Sequence, residues 1–302
     1  MEKVIIIGAG PAGISAALYA VRGNLDPLVI NNGIGALEKA EKIENYYGLE
    51  HPLSGQELYD TGIAQAKALG VRILDAQVLG VGGFDTFVVK TTEGEFETQS
   101  LILATGSRRA APKIPGVKEF EGKGVSYCAI CDAFFYRGKN VAVLGNADFA
   151  MHEAKELSNT ASTVTIYTNG EEPEFTPEGN ISVNTMKIQS VEGDDLVSGI
   201  RLAPDIQAQE MNADAGQQAN DFCPAAGVFI AMGTAGSTEI ARQMGADLTE
   251  KGNIKVDENM ETTIPGLYAA GDCTGGLLQV AKAVYEGAQA GINAGKYVRS
   301  LK

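Results

Sequence analysis

Six residues near the start of the chain, Gly8-Ala9-Gly10-Pro11-Ala12-Gly13, limit the possible folds more than any other segment. They follow the apolar run Val4-Ile5-Ile6-Ile7 and precede Ile14-Ser15-Ala16-Ala17-Leu18-Tyr19-Ala20, a stretch with helix composition. The order is strand, tight turn, helix. In such a turn the first glycine permits the bend, the second lets a pyrophosphate approach the backbone, and the third lets the helix lie close to the strand. The N–H groups of the helix start then face the anion. A further apolar run, Leu28-Val29-Ile30, completes a βαβ unit of the dinucleotide-binding kind. Asn31 and Asn32 stand where an acidic residue would grip a ribose, so the motif alone leaves the dinucleotide unspecified.

The same supersecondary pattern occurs twice. Helix signals return near 56–69, strands are expected around 71–79 and 87–91, and Leu101-Ile102-Leu103-Ala104-Thr105-Gly106 is a strand ending at a glycine turn. Ala111-Pro112-Lys113-Ile114-Pro115-Gly116 is punctuated by proline and predicts a linker. Beyond it, Val141-Ala142-Val143-Leu144, a helical stretch over 147–158 and Val164-Thr165-Ile166-Tyr167 restart a βα pattern. Segments 169–182 and 205–221 read as polar surface excursions. After Val228 to Gly233 the chain leaves this module, supplies one more buried strand in Leu267 to Asp272, and ends in a helix over about 278–298. The expected architecture is a discontinuous first domain, 1–110 plus 236–302, with a second domain, 116–233, inserted in it.

Composition narrows the partners. With 38 acidic and 24 basic residues the net charge is −14, which disfavours nucleic acid and anionic membrane. No apolar run approaches the roughly 18 residues needed to cross a bilayer. A soluble, cytoplasmic protein is expected. Of four cysteines only Cys128 and Cys131, in Cys128-Ala129-Ile130-Cys131-Asp132, are closely spaced, which points to a redox pair in a reducing compartment. A zinc site would need two more ligands from Cys223, Cys273, His51 or His152, and none of these forms a second paired spacing; no metal is expected. Cys223 and Cys273 read as core thiols.

Thr262-Thr263-Ile264-Pro265-Gly266-Leu267-Tyr268-Ala269-Ala270-Gly271-Asp272 resembles the second flavin fingerprint of flavoproteins with two dinucleotide domains. Glu44-Asn45-Tyr46-Tyr47-Gly48 resembles a flavin-contacting segment that usually has proline where Tyr47 stands. Cys128 to Asp132, followed by Ala133-Phe134-Phe135-Tyr136, matches a redox-active stretch, and Gln279 matches a glutamine near the isoalloxazine. Together these motifs resemble the low-molecular-weight thioredoxin reductases over essentially the whole chain. That resemblance implies an α/β fold of two Rossmann-like (FAD/NAD(P)-binding, three-layer ββα) domains, the second inserted in the first. It implies FAD, contacted by Gly8, Gly10, Pro11, Ala12 and Gly13, by Asn31, Asn32, Gly35, Ala36 and Leu37, by Asn45 and Val78, by Ala104, Thr105 and Gly106, and by Gly271, Asp272, Gln279 and Val280. It further implies a homodimer that reduces thioredoxin, with Cys131 facing the flavin, Cys128 attacking the partner disulfide and Asp132 returning a proton to the leaving thiolate.

One departure bears on the electron donor. The family's second turn, Gly-x-Gly-x-x-Ala, holds the NADPH pyrophosphate; here it reads Gly145-Asn146-Ala147-Asp148-Phe149-Ala150, with a methyl where the phosphate would approach and a carboxylate beside it. The arginines that clamp the 2′-phosphate are replaced by Tyr167-Thr168-Asn169-Gly170 and by Glu171, Glu172 and Glu174, and no arginine occurs between Arg137 and Arg201. The pattern resembles the ferredoxin-dependent flavin thioredoxin reductases, so reduced ferredoxin is the expected donor. Arg108, Arg109, Lys113, Lys118 and Lys123 form either a docking patch for it or a solvated loop. The alternatives are a reductase using NADH or NADPH through an atypical site, and a non-catalytic flavoprotein redox sensor.

Overall fold

The computed structural model describes residues 1–83, 85–106, 112–127, 129–204, 221–232 and 236–301, with the side chains of Ile130 and Cys131 outside that set. The chain divides into two compact units, one made of Met1–Arg109 and Ala235–Lys302 and the other of Ala110–Thr234.

The first unit is a Rossmann-like layer extended by an antiparallel one. Strand β1 (Glu2–Ile7) leads through the glycine turn into α1 (Pro11–Arg22), β2 (Leu28–Asn31), α2 (Gly55–Ala68) and β3 (Arg72–Asp75). Then follow β4 (Val78–Gly82), β5 (Phe87–Thr91) and β6 (Gly94–Leu103), in the sheet order β3-β2-β1-β6-β5-β4. Strand β6 belongs to both layers. Its first half pairs antiparallel with β5 from Gly94 to Thr98, and its second half pairs parallel with β1 from Thr98 to Leu103. The strand Leu267–Ala269 adds to β6 in parallel, so the glycines after β1, after β6 and after this late strand all emerge at the carboxyl edge. That edge of a parallel sheet is where dinucleotides bind.

Burial explains these elements. Val4, Ile5 and Ile6 of β1 and Leu101, Ile102 and Leu103 of β6 are fully buried, as expected of parallel strands covered on both faces. Helix α1 packs on the terminal helix Val280–Ser300 through small residues: a Cβ at Gly287 would lie 2.1 Å from the Ala12 carbonyl oxygen, and one at Gly291 2.3 Å from that of Ala16. The Ser15 hydroxyl donates to the Val284 carbonyl at 2.6 Å across the same contact.

The second unit holds a parallel sheet in the order β10-β9-β8-β14-β7. Its elements are β7 (Val125–Ser126), α3 (Ala129–Asp132), β8 (Asn140–Leu144), α4 (Asp148–Ser158), β9 (Thr163–Tyr167) and β10 (Ser182–Asn184). An antiparallel trio of β11 (Ile188–Gly193), β12 (Val197–Leu202) and β13 (Phe222–Pro224) precedes β14 (Gly227–Ile230).

Three expectations need correction. The run 71–79 is two strands rather than one, β3 ending at Asp75 and β4 beginning at Val78. Within the expected linker Ile114 is buried, and Val191 donates its N–H to the Pro115 carbonyl at 2.9 Å. A Cβ at Gly116 would meet the Val191 oxygen at 2.0 Å, so residues 112–116 are packed against β11. Segment 169–182 is not merely a surface excursion, since it buries Phe175 and Ile181. Most of the other excursion, residues 205–220, lies outside the described residues.

Candidate active site

In the first unit the three glycines of the opening turn have different physical reasons. Gly8 has φ +109°, and a Cβ there would lie 2.3 Å from the Ala104 oxygen; a Cβ at Gly13 would lie 1.8 Å from the Gly8 oxygen. Both are demanded by the fold. Gly10 is not: its backbone is extended (φ −74°, ψ −174°) and no atom stands within 4 Å of where its Cβ would be. A glycine required by neither backbone nor packing, at the N-cap of a helix that Pro11 begins, leaves room for a ligand's phosphates to reach the backbone. The first unit thus fits a dinucleotide.

The other expected contacts lie in the same unit. Asn45 donates its side-chain amide to the Gln279 side-chain oxygen Oε1 at 3.0 Å, joining residues 234 positions apart, and Gln279 stands just before the terminal helix that Val280 begins. Ala104 donates to the Ile7 carbonyl at 2.8 Å, while the Thr105 hydroxyl lies 2.8 Å from that of Ser237 and accepts its N–H at 2.9 Å. Gly106 and Gly271 take positive φ, +85° and +88°. Gly35, Ala36 and Leu37 form a short 3-10 helix, Val78 is buried on β4, and Asn32 is exposed just past β2.

Asn31 is held on both sides. Its amide donates to Asp75 at 2.6 Å and its oxygen accepts from the Tyr59 hydroxyl at 2.8 Å. An acidic side chain therefore does stand at this corner, on β3 rather than β2. The Gly271-Asp272 turn is clamped by residues that motif reading passed over. Glu286 accepts from the Gly271 N–H at 2.9 Å and from Lys282 at 2.9 Å, and Lys282 also donates to the Gly271 carbonyl at 2.9 Å. No local signal marks Ser237, Asp75, Glu286 or Lys282, because each acts on a turn distant in sequence. Next to Asp272, Cys273 is buried against the Leu103 and Ala270 carbonyls, and burial pushes its thiol up to about 12, so it is an inert core thiol.

The dithiol segment lies in the second unit. Cys128 and the Cys131 side chain fall outside the described residues, as do Arg108 and Arg109 of the basic cluster. Asp132 is anchored at the end of α3, where one carboxylate oxygen accepts from the Ser126 hydroxyl of β7 at 2.6 Å. Phe134 and Phe135 follow it, 71% and 67% exposed, with their rings edge to face. Beneath α3, Glu153 of α4 is buried to 1% exposure and accepts the Ala129 N–H at 2.6 Å. Burial is the main cause that pushes this carboxyl up to about 7; the Ala129 bond opposes it and Glu156 adds to it.

At the second turn the same glycine test gives the opposite result. Gly145 is required by packing, since a Cβ would lie 2.3 Å from the Ala231 oxygen. Ala147 occupies the helix cap, extended like Gly10 (φ −113°, ψ 178°), but carries a methyl. The acidic segment closes on this turn. Glu174 donates its N–H to the Asn146 carbonyl at 2.7 Å, Glu171 donates to Thr168 at 3.2 Å, Glu178 pairs with Lys155 of α4 at 2.8 Å, and Phe175 is buried between these anchors in sequence. With Asp148 in its first turn, α4 has a carboxylate of its own at its positive end.

Two Rossmann-like units, one with an open phosphate turn and one carrying the Cys128 to Asp132 segment, fit the class of two-domain flavin-type disulfide oxidoreductases. The chain belongs to the pyridine nucleotide-disulphide oxidoreductase family, which matches residues 2–287, and within it to the thioredoxin reductases. A thioredoxin reductase of Treponema pallidum is 36% identical over 99% of this chain and 98% of its own length. Among solved structures, the atypical thioredoxin reductase TRi of Desulfovibrio vulgaris matches with a TM-score of 0.88 and 38% identity over 99% of both chains. A ferredoxin-flavin thioredoxin reductase of Clostridium acetobutylicum matches with a TM-score of 0.68 and 29% identity over 99% of this chain and 98% of its own.

Proposed function

We propose that this protein is an FAD-dependent thioredoxin-disulfide reductase that draws its electrons from reduced ferredoxin, not from NADPH. The turn at Gly8 to Gly13, with Asn45, Gln279 and Asp272, would hold FAD, which when bound would supply the ability to take up electrons singly and pass on a pair. The protein's own groups do the exchange. The Cys128 thiolate attacks one sulfur of the thioredoxin disulfide, giving a mixed disulfide and a thioredoxin thiolate. The Cys131 thiolate then attacks Cys128, closing the enzyme disulfide and releasing the second thioredoxin thiolate. Asp132, oriented by Ser126, returns a proton to a leaving thiolate, and the other proton comes from solvent. The exposed pair Phe134 and Phe135, shortly after Cys131 in sequence, offers an apolar contact for a thioredoxin. The working form in this reading is a cytoplasmic homodimer.

The observation that carries the donor is the closed second turn, above all the Glu174 to Asn146 hydrogen bond beside the Ala147 methyl. NADPH would have to displace that segment and then set its phosphates against Asp148, Glu171, Glu172 and Glu174 with no arginine nearby in sequence. Similarity to a reductase whose name specifies ferredoxin and flavin points the same way. The test is anaerobic flavin reduction, followed near 450 nm, with NADPH, NADH and reduced ferredoxin compared side by side. Ferredoxin is expected to bleach the flavin and support thioredoxin turnover, whereas rapid bleaching by either nucleotide would overturn the donor assignment. Cys128→Ser and Cys131→Ser should each abolish turnover with FAD retained; normal activity in either would remove the dithiol from the mechanism.

A further inference from the structure

A buried carboxyl at the start of α3 has no place in the exchange just described. Glu153 projects from the middle of α4, 1% exposed, and its Oε2 accepts the N–H of Ala129, the peptide nitrogen that follows Cys128, at 2.6 Å. Its other oxygen, Oε1, is buried and has no hydrogen-bond partner among the described residues. A simple helix cap would not need this. An amide or a hydroxyl could hold one N–H without placing a formal charge in the core, and a buried ionised carboxylate is favoured only where it is well paired.

We propose that Glu153 is a positioning residue for the redox pair, fixing the start of α3 through Ala129 and setting the charge against which the neighbouring thiolate must form. The inference rests on Cys128 and Cys131 being the redox pair. When Glu153 is protonated, a thiolate next to Ala129 in sequence meets no charge from it; when Glu153 is ionised, the two anions repel and the thiol keeps its proton longer. The raised proton affinity of the buried carboxyl puts this exchange near neutrality. Among the described residues of the elements packed on α4, β8 carries no titratable group, β9 carries Tyr167, and α3 carries Cys131 of the pair and Asp132, whose carboxylate accepts from Ser126; α4 itself carries Asp148, His152 and Lys155, the last paired with Glu178. On α4 itself Glu156 adds repulsion.

The experiment compares wild type, Glu153→Gln and Glu153→Asp as FAD-loaded full-length proteins. Each is reduced chemically, and the rate of iodoacetamide alkylation of the pair is followed against pH, with the dithiol potential measured in a thiol–disulfide buffer. Glu153→Gln keeps an acceptor for Ala129 but removes the charge, so its alkylation midpoint should move down by about one pH unit and its potential should rise, because the reduced form is stabilised. Glu153→Asp keeps the charge and should retain the wild-type midpoint. If the Gln and wild-type profiles overlay, or if Asp shifts as Gln does, Glu153 is only a structural cap and the proposal fails. If the wild type contains no pair that oxidises and reduces, the dithiol reading itself fails, which is a different result.

Discussion

Single atoms decide the contrast between the two phosphate turns. At Gly10 the missing Cβ relieves no clash and permits no unusual φ, so Gly10→Ala should fold normally, with a melting-point loss reflecting less than about 1 kcal/mol, yet bind FAD at least roughly tenfold more weakly. Gly13→Ala tests the other case, since its methyl would sit 1.8 Å from the Gly8 oxygen and should prevent a stable first unit. Comparing flavin content with urea unfolding separates the two outcomes. Glu153 makes a pH prediction. Its carboxyl is raised in the folded protein, so its contribution is full below the unfolded value near 4.5 and is lost as pH rises through about 7. Wild type should therefore lose about 3 kcal/mol of unfolding free energy between pH 4.5 and 8 that Glu153→Gln does not lose, within the range where other groups titrate alike. Equal slopes for the two proteins would contradict it. None of this was legible at Glu153 itself, because a glutamate inside an amphipathic helix looks like an exposed one until the helix's buried face is known.

Among the elements, helices and strands with strong patterns followed from sequence: the glycine turn marked the start of α1, and the apolar runs at 4–7, 101–103 and 141–144 read correctly as strands. The segment after β9 did not. One phenylalanine among glutamates and prolines has no periodicity, and its anchoring depends on backbone bonds to Thr168 and Asn146 that no side chain announces. Phe175→Ala should destabilise the protein by about 3 kcal/mol through the cavity it leaves, measurable by urea unfolding. A neutral result would mean that the segment is not packed. The linker was misread for a related reason. Proline and glycine mark a turn whether it is free or packed, and Ile114 gains meaning only beside Val191.

For the whole molecule, the two Rossmann-like units and their likeness to thioredoxin reductases were visible from motifs spread over the full length, whereas the corner that joins Asn45 to Gln279 and Asn31 to Asp75 required coordinates. The charge of −14 has a kinetic consequence. Lys113, Lys118 and Lys123 are exposed, but Glu119 and Glu121 are exposed among them, so this stretch offers no field of one sign. Against an acidic ferredoxin the long-range force is repulsive. Flavin reduction by ferredoxin should speed up as salt rises from about 10 to 100 mM, where the screening length falls from about 30 to 10 Å. Stopped-flow rates that fall steeply over that range would instead mean a basic docking patch.

The strap from Glu171 to Glu178 also limits what a single substitution can undo. Exchanging Ala147 for glycine would reopen a single seat while the tenant segment, tied at Asn146 and Lys155 and stoppered by a phenyl ring, stayed where it is. On the reading proposed above, several changes would have to arrive together before a soluble hydride carrier could rest its phosphates on this turn.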